Sequence, residues 1–155
     1  MMFDITGKDL VAIYISGPHD IYNNMLFVLF DLGDYYLFFD GWDLSIIADK
    51  SLVVLDNYQM VDHRILGSNL SIDKAFILES WWCYVVFNNG EAFYVYQSYN
   101  GEIWWHEYEL ILKSNTERYN DFIESISDEE VADRIDLQRL ERYSGYKDIN
   151  YNAQN

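Results

Sequence analysis

Residues 81–112, WWCYVVFNNGEAFYVYQSYNGEIWWHEYELIL, decide the fold class. Three runs rich in Trp, Tyr, Phe, Val and Ile are separated by Asn88-Asn89-Gly90 and Tyr99-Asn100-Gly101. Aromatic and β-branched side chains suit a pleated surface, and an Asn-Gly step supplies the positive φ of a tight hairpin turn. The stretch reads as a three-stranded antiparallel meander.

Outward from it, the same grammar holds from Leu10 to Leu112. Candidate strands are 10–16, 25–32, 35–40, 43–48, 51–56, 74–79, 81–87, 91–99 and 102–112, with turn residues between them. The single Pro18 sits in a turn-like SGPHD and interrupts no strand. Residues 36–47 resemble residues 84–95: each is an apolar strand ending in Phe, a turn with Asp or Asn and Gly, an acid, then a second strand. Any two hairpins of a β-rich chain share that look, so a repeat stays open.

After Lys113 the period changes. Ser114-x-x-Glu117 has the form of a capping box, and Tyr119, Phe122, Ile123 and Ile126 fall on one helical stripe. Ser127-x-x-Glu130 has the same form and opens a second helix to about Tyr143, with Ser144-Gly145 as its stop. Its apolar positions, Val131, Ile135, Leu137 and Leu140, make a poor single stripe, so a break near Asp136 is in keeping with the pattern. The expected architecture is α+β: a mostly antiparallel sheet, partly folded into two layers, with two C-terminal helices packed on it. Residues 1–145 make one domain, and the polar YKDINYNAQN of 146–155 makes a frayed tail.

Half of the 155 residues are hydrophobic, which excludes a disordered chain. Cys83 has no partner for an internal disulfide and suits a reducing compartment. The N-terminus has no basic segment ahead of an apolar one, and runs such as Met25–Phe30 are too short to span a bilayer. The expectation is a soluble cytoplasmic protein. Twenty-six acids against ten bases give a net charge of −16. Residues 1–113 carry 16 acids and 5 bases and residues 114–155 carry 10 and 5, so the acidity is not confined to a tail. Such a field repels nucleic acid and anionic membrane and attracts basic partners.

Catalytic patterns fail one by one. His106-Glu107 begins like the zinc-protease H-E-x-x-H, but the fifth position is Leu110 and a strand would split the pair across two faces. The other histidines also adjoin acids, His19-Asp20 and Asp62-His63, as chance allows in a chain with 26 acids. Cys83 lies in an aromatic strand with no basic neighbour to lower its pKa. No Gly-rich phosphate loop occurs. No metal or cofactor is expected. Paired carboxylates are the best enzymatic case: Glu79, Glu91, Glu102, Glu107 and Glu109 lie on or beside aromatic strands, as a glycosidase or a small carbohydrate-binding domain would need.

What is left is a surface in which acids alternate with aromatics. Glu102, Trp105, Glu107 and Glu109 on the last strand form one candidate contact set, with Glu107 and Glu109 on the same face beside Trp105. Asp31, Asp34, Asp40, Trp42 and Asp43, around two expected turns, form another. In size, acidity, aromatic content and lack of a catalytic motif the chain resembles bacterial immunity proteins. That resemblance implies a non-enzymatic inhibitor of a basic, nuclease-type toxin, whose active site or substrate groove it covers, with no direct contact to nucleic acid or membrane. The alternatives are the carbohydrate-binding domain or glycosidase, a phage nucleic-acid mimic that inhibits a host DNA-binding enzyme, and an adaptor or structural subunit.

Overall fold

A computed structural model describes residues 1–19, 25–63, 66–78, 82–127, 132–145 and 149–150, with only the backbone of 17–19 and 132. The strands are β1 (Met2–Phe3), β2 (Ala12–His19), β3 (Met25–Asp31), β4 (Tyr36–Phe39), β5 (Leu44–Ile47) and β6 (Gln59–Val61). They continue with β7 (Ile72–Leu78), β8 (Cys83–Phe87), β9 (Ala92–Tyr99) and β10 (Trp104–Ile111). Helix α1 (Thr116–Ser127) follows, then β11 (Ala132–Arg134) and β12 (Leu140–Glu141). No helix among the described residues is long and apolar enough to cross a membrane.

The larger strands form two five-stranded antiparallel sheets, ordered β5-β4-β3-β2-β6 and β10-β9-β8-β7-β11. The expected meander of 81–112 is β8, β9 and β10 in unbroken antiparallel register. Both sheets follow one plan: a four-strand meander, then a fifth strand that returns to pair with the first. The likeness between 36–47, which is β4–β5, and 84–95, which is β8–β9, does not follow this shared plan. By position, the β4–β5 hairpin corresponds to β9–β10.

The turn chemistry supports that correspondence. Asp40 N–H bonds Asp43 O, as Asn100 N–H bonds Ile103 O. The Oδ1 of Asp40 accepts from Trp42 N and Asp43 N, as that of Asn100 accepts from Glu102 N and Ile103 N. Gly41 and Gly101 both take a positive φ, 94° and 98°. At Gly41 the need is twofold, since a Cβ there would lie 2.7 Å from Met25 Sδ.

The sheets pack face to face. Ile13, Val28, Phe30, Leu37 and Phe39 of the first meet Val85, Phe87, Phe93 and Val95 of the second in one core, where Phe30 and Phe93 touch edge to face at 5.4 Å. Each outer face is covered as well. Phe122, Tyr119 and Ile126 of α1 lie on Tyr84, Val86, Tyr94 and Ile111. Val53, Tyr58, Tyr143 and Ile149 lie on Phe27, Leu29 and Phe38. Two-sided cover explains why MLFVLF and CYVVF are apolar throughout instead of alternating.

Several expectations are corrected. Residues 51–56 form no strand; Lys50–Leu52 and Leu55–Asn57 are 3₁₀ turns, the first capped by the Asp49 carboxylate on Ser51 N. The cap of α1 is Asn115, not Ser114, with Asn115 Oδ1 accepting from Arg118 N. Ile123 falls off the buried stripe and is exposed. The second C-terminal helix is not present over residues 132–143: Ala132–Arg134 pairs with the open edge of β7, and Asp136 turns the chain by accepting from Gln138 N. Leu137 and Leu140 then drop into the inter-sheet core. Glu130, of the second capping box, lies outside the described residues, as do Trp81 and Glu79 at the ends of two expected strands.

Within 146–155 the described residues are Ile149 and Asn150. Asn150 accepts from Val54 N and donates to Leu52 O, both at 2.7 Å, while Tyr58 donates to Ile149 O. One asparagine thus satisfies backbone groups that the short 3₁₀ turns leave open. Replacing Phe122 by Ala removes the one fully buried side chain of α1 and should cost about 3–5 kcal/mol, read from urea unfolding.

Candidate contact site

The chemistry of the fold concentrates on the β9–β10 hairpin. In β10, even-numbered residues face the inter-sheet core: Leu110 packs there, Tyr108 stacks on Phe93 at 5.3 Å, and His106 is 3% exposed. Odd-numbered residues face the side that carries α1. The expected split of His106 from Glu107 is what the strand produces. His106 Nδ1 accepts from Leu26 N–H at 3.0 Å, tying β10 to the start of β3 in the opposite sheet.

Glu109, Glu107 and Trp105 share the outer face, as alternation required. Glu109 is committed to the fold: Arg118 of α1 donates to it through Nε at 2.9 Å and a terminal nitrogen at 2.5 Å. Glu107 is exposed and accepts from Ser98 Oγ at 3.0 Å. Donors on Trp105, then Ser98, then Tyr96 hold its carboxyl below the usual carboxylate range. Glu102 is exposed in the four-residue turn.

Sequence reasoning missed the aromatic tip beside these acids. Tyr99, Ile103 and Trp104 are each more than half exposed, and Tyr99 stacks on Trp104 at 4.6 Å. Tyr108 is 38% exposed on the same strand. A stack of large exposed rings beside carboxylates is uncommon where packing alone is served. The signal available in the sequence was the run IWW directly after an Asn-Gly turn, where side chains reach solvent.

The other predicted set divides. Asp31 is 6% exposed, receives Lys50 Nζ at 2.8 Å and caps Gly33 N, so it is an internal ion pair and not a surface group. Asp34 is exposed and pairs with Lys8 at 3.2 Å. Asp40, Trp42 and Asp43 form the opposite turn, roughly 20 Å along β4 from Asp34 at ~3.3 Å per residue. Trp42 Nε1 donates to Met25 Sδ at 3.0 Å. Met25-Leu26 therefore touches both Trp42 and His106, joining this turn to β10.

Other candidates are committed to structure. Glu91 accepts from Lys113 N and from Asn89 Nδ2, which locks the β8–β9 turn to the end of β10. Of the carboxylates expected for a glycosidase, Glu109 is ion-paired with Arg118, and Glu79 lies outside the described residues. Cys83 is 1% exposed, and burial pushes its thiol up, away from nucleophilic chemistry. Among the described residues, no group of three or more His, Cys, Asp or Glu is placed to hold a metal. No family model, no curated protein and no solved structure matches the chain.

Two measurements test this geometry. His106→Leu leaves Leu26 N–H buried without its acceptor and should lower stability by about 1–3 kcal/mol in urea unfolding. Trp105→Phe removes the leading donor to Glu107, so the Glu107 midpoint should rise toward the ordinary carboxylate range in a carbon-13 NMR titration. A depressed midpoint means that Glu107 stabilises the fold above the unfolded carboxylate range and loses this effect as pH falls through the folded midpoint. Trp105→Phe should narrow that pH window.

Proposed function

We propose that the chain is a non-enzymatic acidic inhibitor that captures a basic protein, with a nuclease-type toxin as the fitting class of target. The observation that carries this reading is the exposed Tyr99–Trp104 stack at the tip of the β9–β10 hairpin, whose turn carries Glu102 and whose other face carries Glu107, on a chain of net charge −16. Large rings supply affinity once desolvated, whereas carboxylates supply steering and orientation. The long-range field accelerates encounter with a cationic surface and rejects nucleic acid and anionic membrane. A nuclease must present a cationic groove to its own substrate, which makes it complementary to this face.

The same stack is a platform for a sugar ring, which keeps a small carbohydrate-binding domain as the second reading. A phage-encoded nucleic-acid mimic shares the acidic field and differs in its target, a host DNA-binding enzyme.

Affinity capture from the source lysate with mass spectrometry identifies a partner, and surface plasmon resonance then measures it. A basic protein should bind at nanomolar affinity, with an association rate that falls as salt rises. Trp104→Ala should weaken binding by about 2 kcal/mol or more, mainly through faster dissociation. Absence of a tight basic partner, together with quenching of Trp fluorescence by a glycan, would sink the inhibitor reading in favour of the carbohydrate one.

A further inference from the structure

The outer face of β9–β10 carries two tyrosine–glutamate pairs in succession. Tyr94 lies opposite Glu109, and Tyr96 lies opposite Glu107, with Ser98 opposite Trp105 next in line. The Tyr94 and Tyr96 rings stack at 5.1 Å, so the two pairs are adjacent copies of one arrangement.

The first pair holds a cation of the chain itself. Arg118 reaches over from α1, bonds Glu109 through two nitrogens and places its guanidinium 5.4 Å from the centre of the Tyr94 ring. Carboxylate and ring act together on one planar cation, the combination that suits arginine better than lysine. The second pair has the same parts and a further wall from Trp105, but among the described residues no Lys or Arg reaches Glu107. Ser98 Oγ donates to this exposed carboxylate at 3.0 Å, and Trp105 and Tyr96 add to the lowering of its pKa. A hollow of about 440 Å³ wraps the edge of β10 here, lined by Tyr96, Trp105 and Glu107 from the outer face and by Tyr108, His106, Leu26 and Ile15 from the inter-sheet side, ample for one long side chain.

We propose that Glu107, Tyr96 and Trp105 form the receptor for one arginine side chain of a basic protein partner, reproducing between molecules the contact that Arg118 makes within this one. This rests on the inhibitor reading for the source of the arginine, not for the site. Glu107 and Tyr96 supply the ion pair and the ring face, and Trp105 both orients the carboxylate and closes the hollow.

The test is a nitrogen-15 NMR titration of the full chain with N-acetyl-arginine methylamide, following the Trp105 indole N–H. The neutral citrulline counterpart is the control, and Trp105→Phe assigns the signal. The expected result is a saturable shift with the arginine probe and none with citrulline. Glu107→Gln should weaken the arginine response by roughly fivefold or more, the scale of an exposed ion pair plus a ring contact. Because Glu107 is exposed, that variant should keep a cooperative urea transition and lose only the small pH-dependent contribution of the Glu107 charge, which separates a lost site from a lost fold. An indole signal that ignores arginine, answers citrulline equally, or titrates alike in Glu107→Gln overturns the proposal. Saturation by arginine with no basic protein partner to be found sustains the site and removes the inhibitor reading. A tight basic partner whose affinity Glu107→Gln leaves unchanged does the reverse.

Discussion

The central strands of both sheets are apolar on both faces, and the rest of the molecule answers that constraint. Met25–Asp31 and Cys83–Phe87 are buried at every residue. Stacking the sheets covers only one face of each. The two outer faces are covered differently: α1 lies on one, and the 3₁₀ turns with Tyr143 and Ile149 lie on the other. Burying one large side chain is worth about 1.5–3 kcal/mol, so leaving either outer face bare would expose several such contributions at once. Ile149 and Asn150 therefore belong to the fold, with Asn150 bonded to backbone groups beside the 3₁₀ turns.

One hairpin serves two purposes because a strand has two faces. The inward residues of β10 close the sandwich, with His106 bonding the backbone of the opposite sheet. The outward residues carry the carboxylates, and α1 uses one of them through Arg118. Arg118 is the only Lys or Arg of α1 and is taken by Glu109, two residues from Glu107 on the same face. The structural ion pair and the proposed arginine receptor are thus neighbours on one surface, one filled from within and one open to solvent.

Much of the fold was legible in local patterns. The Asn-Gly turns, the aromatic strands and the α1 stripe are written in short stretches, because backbone preference and side-chain period act over a few residues. Residues 132–143 were misread as a helix for the same reason in reverse. Their local signals are weak, and pairing of Ala132–Arg134 with the open edge of β7 outweighs them. SLVVLD looks like a strand by composition, yet it is drawn out as 3₁₀ turns to cap a sheet face. The candidate site was half legible. Alternation put Trp105, Glu107 and Glu109 on one face, but nothing local could show that Asp31 is internal or that Arg118 occupies Glu109.

By itself the sequence determined an acidic, antiparallel β domain, its main hairpins, and which residues of the last strand share a face. These follow from charge, turn chemistry and the two-residue period of a strand. Only the tertiary structure decided that the strands divide into two sheets of the same plan, that both outer faces are covered, and which carboxylates keep their charge for the outside. Those outcomes depend on which distant segments meet, and meeting is decided by the burial of whole faces, a property that no short stretch of sequence contains.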